Sequence, residues 1–156
     1  MKDDDPRQRL VGTWKLIAAV REEIPSGTKT EFLGSNPTGF INYAPDGRMI
    51  VLNVAAGRRK PAGANATAVE AEALFRSMTG YGGTYTIEGN EITHHVDVSW
   101  NETWTDTKQK RIARFEGNRV YLSTPPSVDP LTGTMSTRTM TWEKVNHSVR
   151  QQITSE

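Results

Sequence analysis

The chain contains no cysteine. Disulfides and thiolate chemistry are therefore excluded. It also lacks an excess of charge of one sign, since 19 Lys and Arg stand against 18 Asp and Glu, for a formal net charge of +1. That balance gives no electrostatic reason to bind nucleic acid or an anionic membrane. No apolar run approaches the length of a membrane span. The opening Met1-Lys2-Asp3-Asp4-Asp5 has no apolar core of the signal-peptide kind. A cytoplasmic location is the expectation. Asn65-Ala66-Thr67, Asn101-Glu102-Thr103 and Asn146-His147-Ser148 match glycosylation sequons by pattern and are read as chance. Hydrophobic residues are only 35% of the 156, which suits one core rather than two. Strand–helix–strand alternation is missing as well, so a parallel sheet is not expected.

What is present is a series of short strands separated by turns. Gly12-Thr13-Trp14 opens the first strand-like run. Glycine lets the chain bend into the strand, and the indole buries a large apolar surface if its N–H finds a partner. Over Thr13–Glu22, Trp14, Leu16, Ala18 and Val20 alternate onto one face. Residues 23–38 read as loop, with a short edge strand near Lys29–Leu33. Gly39–Val54 reads as a hairpin turning at Pro45-Asp46-Gly47-Arg48. Thr67-x-x-Glu70 is a capping box, followed by an apolar stripe at Ala71, Leu74, Phe75 and Met78. The spacing predicts one helix, stopped at Gly80. Thr84–Glu88 and Glu91–Ser99 flank the hairpin signal Gly89-Asn90, and Gln109–Phe115 and Arg119–Ser123 flank Gly117-Asn118. Thr137–Val145 is the last strand. Residues 1–9 and 146–156 read as flexible polar ends around one domain at 10–145.

About eight strands joined in sequence by tight turns suit an all-β, single antiparallel up-and-down barrel with one short helix. Such a barrel has room for packed side chains or one small ligand. The chain resembles the bacterial and fungal lipocalin-like domain proteins, a group within the calycin-type barrels. The residues that carry the resemblance are Leu10-Val11-Gly12-Thr13-Trp14-Lys15-Leu16, Asn36-Pro37-Thr38-Gly39 and Tyr43-Ala44-Pro45-Asp46-Gly47-Arg48-Met49. Further on come His94-His95-Val96, Ser99 with Trp104, Gln109-x-Arg111 and Met140-Thr141-Trp142-Glu143. The resemblance implies a lipocalin-like barrel over residues 10–145 but no universal active site. Asp106 stands where similar sequences often have glycine.

Strand parity selects the polar groups that face inward. Phe115 and Ala113 suit the core, which puts Gln109 and Arg111 on the same face. Ile92, Val96, Val98 and Trp100 are expected to share a face that includes His94, with His95 pointing the other way. Adjacent histidines on a strand cannot share one ion, so no metal and no cofactor are expected. Tyr43 pairs with Ile41, and Arg138 with Met140 and Trp142. Trp100 and Trp104 are candidates to line a mouth. Arg138 is also a candidate cation over Trp14. Apolar walls with a few orienting polar groups are the pattern of a ligand site.

The leading expectation is binding of a small, largely apolar molecule with a polar or anionic end, held by Trp100, Trp104, Gln109, Arg138 and Phe115. The rival is a cofactor-independent isomerase, cyclase or lyase acting on a biosynthetic or aromatic-catabolic intermediate. In that reading His94 moves a proton while Arg111 and Tyr43 stabilise an oxyanion. The sequence leaves the oligomeric state open, a homodimer included.

Overall fold

The structure is a computed structural model describing residues 5–128 and 133–145. The expected tail at 146–156, with His147 and the Asn146 sequon, lies outside the described residues. In chain order the elements are α1 (Pro6–Leu10), β1 (Gly12–Ile24), β2 (Lys29–Thr30), β3 (Thr38–Tyr43), β4 (Arg48–Val54), α2 (Ala68–Arg76), β5 (Met78–Glu88), β6 (Glu91–Ser99), β7 (Lys108–Glu116), β8 (Arg119–Ser123), β9 (Ser127–Val128) and β10 (Met135–Lys144). Eight strands pair in the order β1-β3-β4-β5-β6-β7-β8-β10, and β10 returns to β1. The barrel is closed, antiparallel and up-and-down. The two-residue strands β2 and β9 add to it at β1 and β10. Closure leaves the long strands without a free edge.

The sequence pattern explains the core. Alternation on β3 and β4 buries Ile41, Tyr43, Met49 and Val51. On β1 the alternation breaks. A register shift between Leu16 and Ala18 turns Ala19 into the core, where Ala18 had been expected. A bulge inserts one residue and flips every later side chain.

A second irregularity shapes the wall beside the cavity. Met78 and Gly80 do not end a helix. The helix stops at Arg76, and both residues belong to β5. The capping box at Thr67 and Glu70 is formed as expected. Register shifts at Gly82/Gly83 opposite β6, so that Gly82 faces Val98 and Gly83 faces Val96. A Cβ on Gly83 would lie 1.8 Å from the His95 carbonyl oxygen, so only glycine allows this approach. The shift places Val98 outside, exposed, where strict alternation puts it inside.

The start of the chain also differs from expectation. Residues 6–10 form α1, capped by the Asp5 side chain, and Leu10 is fully buried. This turn closes one end of the barrel. Trp14 Nε1 donates to the Leu10 carbonyl at 2.8 Å, and Arg9 sits over the Phe115 ring at 4.4 Å. Gly12 has φ +132°, and its missing side chain leaves room for the Lys144 stem. Among the described residues, no helix is long and apolar enough to cross a membrane.

Candidate functional site

The other end of the barrel opens into a cavity of about 670 Å³. Apolar walls come from Ile41, Val51, Leu122, Met140 and Trp142. Tyr81, His94, Gln109, Arg111 and Arg138 also line it. Among the described residues, no Asp or Glu lines it.

His94 projects inward from β6 and is 1% exposed. Both ring nitrogens are engaged by tyrosine hydroxyls. Tyr43 Oη lies 2.6 Å from Nε2, and Tyr81 Oη lies 2.7 Å from Nδ1. Burial, with smaller contributions from the charges of Arg111 and His95, pushes the His94 pKa down to about 3. The ring is neutral in the folded protein, because a buried imidazolium would be strongly disfavoured. Burial also raises the pKa of Tyr43 and of Tyr81, against the opposing pull of Arg111. Both phenols therefore keep their protons.

Arg111 stands on the inward face of β7, as parity predicts. Its Nη1 donates to the Lys110 carbonyl at 2.8 Å. No carboxylate among the described residues pairs with it. Gln109 also faces the cavity and donates to Thr107 Oγ1 at 2.9 Å. Arg138 reaches the mouth and lies over the Phe32 ring at 5.1 Å. It does not cover Trp14. That place belongs to Lys144, with Nζ 4.7 Å from the ring centroid. The register explains the exchange: Lys144 pairs directly with Trp14, and Arg138 pairs with Arg21. Six residues along a strand separate the two cations by about 20 Å.

Two residues that line the cavity each carry a buried polar atom with no hydrogen-bond partner among the described residues: Trp142 Nε1 and Asn53 Oδ1. Asn53 leans over Gly39, where a Cβ would come within 2.4 Å of its oxygen. The missing side chain of Gly39 thus leaves room for this amide.

Of the residues expected at a site, the structure brings together His94, Arg111, Gln109, Arg138 and Trp104 around one cavity. Tyr43 joins them through His94 but does not line the space. Phe115 lies at the closed end, 6.4 Å from Trp14 between ring centroids. Trp100 stands outside the cavity, edge-on to Trp104 at 5.1 Å and 6.2 Å from Phe75 of α2. Trp104 in turn lies 5.4 Å from Tyr81. His95 points outward and meets Thr86 Oγ1 at 3.0 Å.

Tyr81 is the residue that sequence reasoning missed. It sits in Gly80-Tyr81-Gly82-Gly83, which reads as a helix stop and turn. The signal that identifies it is the two-residue spacing Tyr81, Gly83, Tyr85, continuous with the strand that follows. No group of three His, Cys, Asp or Glu among the described residues could hold a metal ion.

Comparison with known proteins bears on the fold and not on the ligand. A lipocalin-like protein from Bacteroides uniformis is 16% identical, covers 88% of this chain and 99% of its own, and superposes with a TM-score of 0.45. An uncharacterized protein from Bacteroides eggerthii is 15% identical, with coverages of 87% and 99% and a TM-score of 0.44. No curated protein matches the chain. The model of one family, described as a lipocalin-like domain, matches residues 11–145. That span takes in every strand of the barrel, and the chain belongs to the lipocalin-like domain family.

Proposed function

We propose that the barrel binds one small, largely apolar molecule through an anionic or strongly polar oxygen end. The observation that carries this reading is the unpaired inward cation, Arg111, in a cavity lined by no carboxylate among the described residues. The guanidinium is only half-buried, yet it gives up part of its hydration with no counter-ion in return, which carries a cost. A ligand oxygen offsets that cost and gains a charge-assisted hydrogen bond. The apolar walls supply non-directional affinity for the rest of the molecule. The partner is a small molecule rather than nucleic acid or a membrane, in keeping with the net charge of +1, and we place the activity in the cytoplasm.

The test is native mass spectrometry of the protein as purified, followed by titration with alkyl and aryl carboxylic acids and their primary amides. Trp104 lines the cavity and reports binding by fluorescence. The acids are expected to bind tighter than their amides. Arg111→Met should weaken the acids about tenfold or more, with little change for the amides. Equal affinity for acids and amides in the parent protein would overturn the reading.

A second reading, a cofactor-independent isomerase, cyclase or lyase, draws support from the Tyr43–His94–Tyr81 chain. Here His94 handles the proton and Arg111 steadies negative charge; Tyr43, expected to share that task, does not reach the cavity and holds the His94 ring instead. Because both ring nitrogens face phenols, a substrate proton would pass through Tyr81. Product formation from a bound acid, lost in Tyr81→Phe, is the outcome that favours this reading.

A further inference from the structure

We propose that Tyr81 is the group that meets the ligand's oxygen, and that Tyr43 and His94 are positioning residues that aim its hydroxyl proton into the cavity. The ligand class that fits is a small organic acid with an apolar body. This choice of ligand rests on the acid-binding reading above; the direction of the hydrogen-bond relay does not.

The direction follows from counting donors. A neutral imidazole offers one N–H and one bare nitrogen. Tyr43 is 0% exposed, and among the described residues its hydroxyl has one hydrogen-bond partner, His94 Nε2. If Tyr43 accepted from Nε2, its own proton would be buried with no acceptor, which is disfavoured. Tyr43 therefore donates to Nε2. The ring hydrogen then sits on Nδ1 and is donated to Tyr81 Oη. With its oxygen already accepting, Tyr81 directs its own proton elsewhere. Tyr81 lines the cavity and Tyr43 does not.

Two further groups lining the cavity point to the same ligand chemistry. Trp142 Nε1 is a buried donor without a protein partner among the described residues. Arg111 is close enough to Tyr81 to act on its hydroxyl by charge and by hydrogen bonding. A phenol proton, an indole N–H and a guanidinium are all donors. A carboxylate accepts several hydrogen bonds at once and suits such a set. The opposite relay would have Tyr81 donate to Nδ1 and turn only its lone pairs to the cavity.

The tautomer of His94 tests the relay without any ligand. In water a free imidazole prefers its hydrogen on Nε2, so an Nδ1–H ring is a distinctive signature. The full chain carries 3 histidines. Replacing the other two, by His95→Gln and His147→Gln, leaves one ring to read. Long-range proton–nitrogen correlation on ¹⁵N-histidine protein near neutral pH is expected to show a protonated Nδ1 and a bare, hydrogen-bonded Nε2. In Tyr43→Phe the Nε2 signal should move to that of a nitrogen without a donor. An Nε2–H ring or a doubly protonated ring overturns the relay.

The contact is then tested with 3-phenylpropanoate, an apolar body with one carboxylate. Tyr81→Phe should weaken its binding about tenfold, more than Tyr43→Phe does. An Nδ1–H ring with affinity untouched by Tyr81→Phe overturns Tyr81 as the contact. An Nδ1–H ring in a protein that does not bind 3-phenylpropanoate upholds the relay and counts against the acid-binding reading.

Discussion

Trp14 and Trp142 are buried to the same depth, at 2% and 1% exposure, yet they belong to two different kinds of interior. At the closed end the Trp14 N–H bonds the Leu10 carbonyl. The cation over its ring, Lys144, donates to the carbonyls of Arg9 and Val11. On the cavity side the Trp142 N–H has no protein partner among the described residues, and the inward cation Arg111 donates to the neighbouring Lys110 carbonyl, acts on the Tyr81 hydroxyl and meets no carboxylate among the described residues. One end satisfies its polar groups internally and is suited to stability. The other leaves an indole N–H without a protein partner among the described residues and so gives up some stability. Trp142 and Lys144 lie only two residues apart on β10, so Trp142 sits at the floor of the cavity next to the closed end, and the difference lies in the partners and not in the strand.

The largest expected effect lies at the closed end. Trp14→Ala removes a fully packed indole and its hydrogen bond, and should cost about 3–5 kcal/mol. Urea unfolding followed by circular dichroism measures this. A loss below about 1 kcal/mol would mean that the Leu10–Trp14 plug does not anchor the fold.

The next effect belongs to the open end and depends on pH. Unfolded, His94 titrates near its ordinary value; folded, burial holds its pKa down to about 3. Between those values the unfolded chain binds a proton that the folded chain refuses. Stability is therefore fully present at neutral pH and falls as pH falls through that window, by at most about 1.4 kcal/mol per pH unit. The urea midpoint should drop steadily between about pH 6.5 and 5, before most carboxylates begin to protonate. A flat midpoint across that range would mean that the ring protonates without leaving its place, and the contrast between the two ends would weaken.

Much of this was legible in the chain. Alternation on β7 identifies Gln109 and Arg111 as inward, because Ala113 and Phe115 share their parity. The Gly89-Asn90 and Gly117-Asn118 turns mark two hairpins. His94 stands out as the histidine among apolar neighbours. The failures trace to events that parity alone cannot reveal. The shift at Gly82/Gly83 turns Val98 outward, and nothing in the residues of β6 announces it. Tyr81 is hidden by flanking glycines, which serve there as small strand residues and not as breakers. The cation over Trp14 depends on the register of β1 against β10, which pairs Trp14 with Lys144. An indole N–H without a partner is a fact of three-dimensional neighbours and leaves no trace in the sequence.

The smallest expected effect is also the most direct comparison. Trp14→Phe and Trp142→Phe each delete one ring and one N–H from a nearly sealed position, so the packing losses should be similar. The hydrogen-bond losses differ. Trp14→Phe leaves the Leu10 carbonyl without its donor, whereas Trp142→Phe removes an N–H that no described protein group accepts. Trp14→Phe should therefore be the more destabilising by about 1 kcal/mol in urea titrations. If Trp142→Phe costs as much, its N–H is already engaged and the open end is less poised than its geometry implies. The order should reverse for ligand affinity. Trp142→Phe deletes the unpartnered donor of a residue that lines the cavity and should weaken a bound acid about fivefold, while Trp14→Phe, outside the cavity lining, should leave affinity nearly unchanged. Opposite orders in stability and binding would show that two tryptophans of equal burial serve the fold and the ligand respectively.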